Sequence, residues 1–215
     1  MVDHPIVQRL QSARLVTVIG RCSSATTTMA LDLLLAQGVR AFEICGAVPE
    51  ASQIVHTLKA KDRSLVVGAG SIVTAEQANI VMAAGVDYLA SPCWIDEVAE
   101  QAAKAECPYL VGAMTIGEAL HHHQAGAALV RLSMAGPVSG LALCKALQRD
   151  FPSIALMPCG EIIPSDIEAY LQAGAACIGL EGNLIPEAAL AAGDIEAAIV
   201  QVREVVRLLP FFDKQ

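Results

Sequence analysis

The sequence lacks long uncharged runs, basic clusters and paired cysteine motifs. No uncharged run approaches the roughly 18 residues of a membrane helix, although 54% of the chain is hydrophobic. A net charge of −8 without a basic cluster predicts that the protein binds neither nucleic acid nor anionic membranes. Residues 1–5 lack the basic start of a signal peptide, and the seven cysteines include no CxxC spacing. We therefore expect a cytoplasmic protein without a disulfide framework.

The hydrophobic residues are arranged in a repeating strand–helix pattern, which favours a parallel sheet covered by helices. Predicted strands cover residues 15–19, 41–44, 65–70, 88–92, 109–112, 130–132, 154–157 and 177–179. Glycines that would end the intervening helices in a left-handed conformation stand at Gly38, Gly85, Gly126 and Gly174. A short amphipathic lead precedes the first unit, and a long final helix is predicted from Pro186 through Val206.

Eight such units predict an α/β fold, a single-domain (β/α)8 TIM barrel spanning residues 1–215. A doubly wound open sheet is the alternative. It would have fewer units and a phosphate-binding glycine loop after its first strand, which Gly20-Arg21-Cys22-Ser23 does not resemble.

Arg131 lies in a short apolar strand, close to its C-terminal end, where barrel enzymes place their chemistry. A buried guanidinium is costly unless a carboxylate or a ligand anion neutralises it. Glu43, which also lies in an apolar strand, is the expected partner. The pair is either a structural ion pair or a general acid/base carboxylate beside an anion-binding guanidinium.

Three motifs resemble one family. Phe42-Glu43-Ile44, then residues 67–73 (Val-Gly-Ala-Gly-Ser-Ile-Val), then Ala90-Ser91-Pro92 are similar to the L-E-V, V-G-A-G-T-V and I-S-P patterns of the 2-keto-3-deoxy-6-phosphogluconate / 4-hydroxy-2-oxoglutarate (KDPG/KHG) aldolases. The spacing agrees from about residue 15 to residue 186. The resemblance implies a TIM barrel, often trimeric, that cleaves a small anionic 2-keto acid to pyruvate and an aldehyde through a lysine Schiff base. It implies catalysis by Glu43 and substrate contacts by Ser71 and Pro92.

The chain departs from the family at the lysine. The family's K-F-F-P strand aligns with Arg131-Leu132-Ser133-Met134, so Arg131 occupies the position of the Schiff-base lysine. A guanidinium stays protonated and is a poor carbonyl nucleophile, so the iminium is not expected to form. The five lysines of the chain are predicted to lie on helices or at a terminus: Lys59, Lys61, Lys104, Lys145 and Lys214.

The predicted phosphate-binding loops also differ. The family's T-G-G after the seventh strand is Cys159-Gly160-Glu161, and its glycine–serine loop after the eighth is Leu180-Glu181-Gly182-Asn183. Gly160, Glu161 and Gly182 are therefore candidate substrate contacts by position. The carboxylates of Glu161 and Glu181 would repel a phosphate.

These observations predict an aldolase-family protein that has lost the class I mechanism, a divergent or degenerate carbon–carbon lyase in which Arg131 binds a 2-keto acid. A non-catalytic binding or assembly protein is one alternative. A metal-assisted aldolase or β-keto acid decarboxylase is another, with Mg²⁺ or Mn²⁺ on Glu43, Glu161 and Glu181. The same glutamates would otherwise be solvated rim charges, and the leading hypothesis needs no cofactor.

Smaller features leave two interpretations each. Four cysteines near the predicted active face (Cys22, Cys45, Cys93, Cys159) are buried small hydrophobes or reactive thiols. The tract His121-His122-His123 is either a metal site or a solvated helix end, and its position at the end of a helix favours the second interpretation. Trp94 lines a pocket or caps a helix. The apolar residues 208–212 cover the barrel floor or form a subunit contact.

Overall fold

The computed structural model describes residues 4–20, 24–48, 50–138, 140–181, 188–189 and 192–207. Within this part of the chain, eight parallel strands form one sheet in the order β7-β6-β5-β4-β3-β2-β1-β8. The two outermost strands meet through a single bridge between Cys159 and Gly179, which nearly closes the barrel. The predicted (β/α)8 TIM barrel is therefore confirmed.

The strands are β1 Leu15–Ile19, β2 Ala41–Cys45, β3 Val66–Gly70, β4 Tyr88–Ser91, β5 Tyr109–Ala113, β6 Leu129–Leu132, β7 Leu156–Pro158 and β8 Ile178–Glu181. The helices are α1 Pro5–Ala13, α2 Ser24–Ala36, α3 Ala51–Lys61, α4 Ala75–Ala83, α5 Asp96–Lys104, α6 Ile116–Gln124, α7 Gly140–Asp150, α8 Ile167–Gln172 and α9 Ile195–Arg207. A 3₁₀ turn, Pro164–Asp166, precedes α8. None of the helices in the described ranges combines the length and the apolar character needed to cross a bilayer.

Most predicted boundaries agree with the structure to within two residues, and the four helix-ending glycines have positive φ as predicted. The continuous final helix is wrong. Gly193 has a φ of 74° and forms a turn, and α9 begins only at Ile195. Asp194 caps the new helix by accepting a hydrogen bond from the Ala197 amide at 3.0 Å. Pro186 and residues 208–212 lie outside the described residues.

The amphipathic lead forms helix α1, which covers one end of the barrel. Its buried residues Ile6, Val7 and Leu10 pack with inward-facing side chains of the strands, among them Tyr88 and Met157. A second apolar cluster fills the space between the strands and the outer helices. Since α1 covers the N-terminal ends of the strands, the opposite end, where the strands terminate, is the open one. We call it the barrel mouth.

Asp87 fastens α1 and α3 to the N-terminal end of the barrel. Its Oδ1 lies 2.7 Å from Arg9 Nη1 on α1, and its Oδ2 lies 2.8 Å from Lys59 Nζ on α3. The same Oδ2 accepts a hydrogen bond from the Val67 amide at 2.7 Å. One carboxylate therefore joins two helices to β3.

Replacing Asp87 by asparagine should lower the free energy of unfolding by about 2 kcal/mol, because the charge-assisted hydrogen bonds lose their anion. Urea denaturation measures the change. Asp32→Asn is the matched control, because its ion pair with Lys61 is about half exposed on both sides and should contribute under about 0.5 kcal/mol. Equal effects of the two substitutions would contradict the role of Asp87 in joining the two helices to β3.

Candidate functional site

Glu43 and Arg131 meet inside the barrel close to its mouth, and we call them the central pair. Arg131 Nη1 lies 3.0 Å from Glu43 Oε1. Glu43 is 1% exposed and Arg131 is 8% exposed, so both charges are buried. The ion pair expected from the sequence is therefore present.

Strand register explains how two residues far apart in sequence come together. Glu43 on β2 pairs with Gly68 on β3, and Arg131 on β6 pairs with Gly112 on β5. Glycines on these neighbouring strands leave interior volume that other side chains fill. A Cβ atom at Gly70 would lie only 2.2 Å from Glu43 Oε1, so the carboxylate packs directly on the backbone of β3.

Tyr88 is a third member of the site, which the sequence reasoning missed. Its hydroxyl donates a hydrogen bond to Glu43 Oε2 at 3.2 Å. Gly68 pairs with both Glu43 and Tyr88, so β3 separates their two strands. A Cβ atom at Gly68 would lie 2.1 Å from the Tyr88 ring, and the glycine therefore lets the tyrosine reach across β3. The sequence did contain one signal for this role, because the expected strand register places a tyrosine of β4 opposite a glycine of β3.

The fourth member of the site, and its third charged group, is Glu181, the last residue of β8. Its Oε1 lies 3.9 Å from Arg131 Nη2, which is too long for a hydrogen bond. The Glu181 side chain is 45% exposed, in contrast to Glu43. Arg131 therefore has one buried carboxylate in contact and one solvated carboxylate nearby.

The Nε atom of Arg131 is buried and has no hydrogen-bond partner among the described groups. Nε and Nη2 lie on the same edge of a guanidinium, with their N–H bonds parallel. Neither atom is hydrogen-bonded to Glu43 or Glu181, because the 3.0 Å contact to Glu43 uses Nη1. This edge matches the geometry in which arginine binds a carboxylate through two hydrogen bonds.

Burial raises the pKa of Glu43, although Arg131 and the Tyr88 hydroxyl act in the opposite direction. Burial alone would lower the pKa of Arg131, but the carboxylate of Glu43 reverses this and the net shift is upward. Burial also raises the pKa of Tyr88 well above its usual value, with Glu43 adding to the effect. Arg131 thus remains a cation and Tyr88 a neutral donor at any ordinary pH, whereas the Glu43 carboxyl is the group that titrates more readily.

The other predicted contacts follow strand ends at the barrel mouth. Ser71, after β3, and Glu161, after β7, are exposed and have left-handed backbones with φ of 58° and 51°. Pro92 is exposed, and its carbonyl oxygen would lie 2.2 Å from a Cβ at Gly112. Gly160 has a φ of 85° and packs on the Met134 backbone. Gly182 lies outside the described residues.

The cysteines near the mouth differ from one another. Cys159 is buried beside Arg131, and burial raises the pKa of its thiol despite the nearby guanidinium. Cys45 is buried in the cluster that faces the helices, and Cys93 is exposed. Cys22 lies outside the described residues. A protonated thiol at Cys159 favours the interpretation of a small buried hydrophobe.

The sequence predicted that the histidine tract is a solvated helix end, but the structure buries one of its three side chains. His122 is buried and its ring stacks on Trp94 with centroids 6.0 Å apart, because it faces the space between α6 and the loop after β4. Trp94 also packs on Tyr109 at 5.6 Å and donates a hydrogen bond to Asp96. These contacts place Trp94 against β5 and α6, away from the central pair. Among the residues with described positions, no group of three His, Cys, Asp or Glu side chains could hold a metal ion.

Comparison with known proteins agrees with this geometry. The family model of the KDPG and KHG aldolases matches residues 6–202. A 2-dehydro-3-deoxy-phosphogluconate aldolase of Treponema pallidum is 22% identical over 205 residues, which cover 95% of this chain and 97% of that protein. The KHG/KDPG aldolase of Escherichia coli K12 is 27% identical over 175 residues, covering 80% and 81%.

A solved structure shows the same fold. The KDPG aldolase of Legionella pneumophila, in which pyruvate is captured as a covalent carbinolamine, superposes with a TM-score of 0.80. The two chains are 23% identical, and the superposition covers 93% of this chain and 97% of that one.

The contact between Tyr88 and Glu43 predicts a shift of one titration. Tyr88→Phe removes a donor that favours the ionised carboxylate, so the pKa of Glu43 should rise further. Carbon-13 NMR of the labelled Glu43 carboxyl measures this pKa directly. The substitution should also cost about 1–3 kcal/mol of stability, because a buried acceptor loses its partner.

The sign of the pH dependence follows. Since the hydroxyl stabilises the charged form of Glu43 more than the neutral form, the stability difference between wild type and Tyr88→Phe should shrink as the pH falls and the carboxyl is protonated. Tyr109→Phe is the control, because its hydroxyl faces the Cys93 carbonyl at 3.4 Å instead. An unchanged Glu43 titration in Tyr88→Phe would show that the hydrogen bond has no influence on the carboxyl.

Proposed function

The chain belongs to the KDPG and KHG aldolase family, and from this premise we propose that its barrel mouth binds a small 2-oxo acid without forming a Schiff base. Arg131 binds the ligand carboxylate, and the class I cleavage of the family is lost. The Nε atom of the Arg131 guanidinium, which is buried and has no hydrogen-bond partner among the described groups, is the observation that carries this proposal.

Within the described part of the chain, no lysine lies in a position to replace the Schiff-base nucleophile, and this supports the loss of cleavage. By the motif alignment, Arg131 stands where the family has its lysine, and a guanidinium that remains protonated cannot attack a carbonyl group. The lysines that the structure describes are all on outer helices: Lys59 and Lys61 on α3, Lys104 on α5 and Lys145 on α7. Lys59 and Lys61 are engaged by Asp87 and Asp32. Lys214 lies outside the described residues.

The charges around Arg131 favour an unphosphorylated ligand. Glu43 and Glu181 are both within 4 Å of the guanidinium, and Glu161 replaces a glycine of the family's phosphate-binding pattern. A phosphate dianion would meet these carboxylates where the family presents backbone N–H groups. A single carboxylate on a short 2-oxo acid needs only the Nε and Nη2 donors of Arg131.

Borohydride trapping with pyruvate tests the loss of the Schiff base. The wild type should form no reduced adduct by mass spectrometry, whereas Arg131→Lys should form one, because a lysine amine in this buried position can attack the carbonyl group. Pyruvate release from the two family substrates should follow the same order. Arg149→Lys is the control, because it adds a lysine at an exposed position on α7.

A trapped adduct in the wild type would refute the proposal and require another nucleophile. No adduct in either protein would show that more than one residue separates this site from the Schiff-base mechanism.

We also propose that the protein is a cytoplasmic homo-oligomer, a trimer by family resemblance. Large apolar side chains are about half exposed in the loops after the adjacent strands β5, β6 and β7: Met114, Met134, Val138 and Ile163. Exposed apolar groups on one side of a barrel are typical of a surface that is covered in an assembly.

Sedimentation velocity tests this assembly. Ile163→Lys should shift the protein toward monomer, because a charge would be buried in the contact. Ile80→Lys is the control, since Ile80 is equally exposed but lies on α4. A monomeric wild type would contradict the proposal.

A further inference from the structure

At the barrel mouth, one guanidinium lies within 4 Å of two carboxylates before any ligand binds. Arg131 contributes one positive charge, and Glu43 and Glu181 contribute two negative charges at 3.0 Å and 3.9 Å. A ligand carboxylate on the Nε/Nη2 edge would be a third anion around one cation. Such an arrangement in a buried site is unfavourable unless one negative charge is removed.

We propose that carboxylate binding to Arg131 is coupled to the uptake of one proton by Glu43. This inference rests on the proposed function, since it concerns the same ligand at the same site. The proton comes from solvent and adds to the Glu43 carboxylate, and no bond of the ligand forms or breaks.

The packing around Glu43 prevents the carboxylate from avoiding the ligand by moving. Gly70 lies directly against Oε1, and the Tyr88 ring occupies the volume over Gly68. Glu43 is 1% exposed, so no solvated position is within reach without disturbing β3 or Tyr88. Protonation is therefore the available way to reduce the repulsion.

Tyr88 can accommodate both states of Glu43. A phenol hydroxyl donates to a carboxylate, and it can also accept a hydrogen bond from a carboxylic acid. The 3.2 Å contact to Oε2 therefore survives when Glu43 gains a proton. The neutral pair leaves no buried charge beside the ligand other than Arg131.

The other titratable groups that face Glu43 in the described structure are less suited to take up this proton. They are Arg131 on β6, Tyr88 on β4, Cys159 after β7, Cys177 just before β8 and Glu181 at the end of β8. Inward positions on β1, β3 and β5 carry only glycines and apolar residues, which do not titrate: Val16, Val18, Val66 and Leu110. Burial raises the pKa of Tyr88, Cys159 and Cys177, so each already holds its proton. Glu181 is partly solvated, which weakens its repulsion with the ligand.

Titration calorimetry with pyruvate on the full-length protein tests the coupling. The experiment is run at several values between about pH 5 and pH 8, each in two buffers of different ionisation enthalpy. Above the pKa of Glu43, the buffer dependence of the heat should report close to one proton taken up per pyruvate bound. The dissociation constant should then rise up to about tenfold per pH unit, because pyruvate itself stays ionised.

Two neutral isosteres identify the proton acceptor. Glu43→Gln should still bind pyruvate but lose the proton uptake and the pH dependence. Glu181→Gln should keep both and bind several-fold more tightly, because one repulsive charge is gone. If Glu181→Gln loses the proton uptake and Glu43→Gln retains it, Glu43 is not the proton acceptor and the proposal is overturned.

The wild-type data alone separate this inference from the proposed function. Pyruvate binding with no proton uptake and a pH-independent affinity refutes the coupling and leaves the proposed function intact. No binding at any pH, together with no binding to either variant, refutes both.

Discussion

A cation inside a barrel must be neutralised, and this requirement organises the mouth of the protein. Arg131 is buried among mostly apolar side chains and glycines, so its charge is tolerated because Glu43 lies 3.0 Å away. The glutamate in turn depends on Gly70, which gives the carboxylate room, and on Gly68, which lets Tyr88 reach it. The volume of the interior is thus divided among one ion pair, one phenol and the glycines opposite them.

The two ends of the barrel use charge in different ways. At the N-terminal end, the carboxylate of Asp87 is shared by two cations and a backbone amide, and every partner is in hydrogen-bond distance. At the mouth, one cation faces two carboxylates, one of them at 3.9 Å, and its Nε atom has no hydrogen-bond partner within the described part of the chain. The first arrangement is closed to further partners and stabilises the fold. The second leaves unsatisfied donors and an excess of negative charge, which is typical of a site where a ligand or a proton completes the arrangement.

The sequence predicted what depends on local pattern and missed what depends on packing across strands. Apolar runs and helix-ending glycines located the strands, and a charge in each of two apolar strands was enough to pair Glu43 with Arg131. Tyr88 was missed because its role depends on the register that places it opposite Gly68. The burial of His122 depends on Trp94 from another unit, and the break at Gly193 was hidden in a sequence rich in alanine. The agreement with the family model covers the fold, while the role of each mouth residue depends on contacts that only the structure shows.

Replacing lysine by arginine would change the chemistry of this scaffold more than its architecture. Glu161 has a φ of 51°, a left-handed conformation that costs a residue with a side chain about 1 kcal/mol of backbone strain. Glu43 is buried, and its side chain reaches across the interior to within 3.0 Å of the Arg131 guanidinium. A lysine there would alternate between a charged and a neutral form, whereas Arg131 holds a permanent charge. With the cation unable to release its proton, the variable charge of the pair passes to the carboxylate, and Glu43 becomes the group through which the site responds to pH and to ligand.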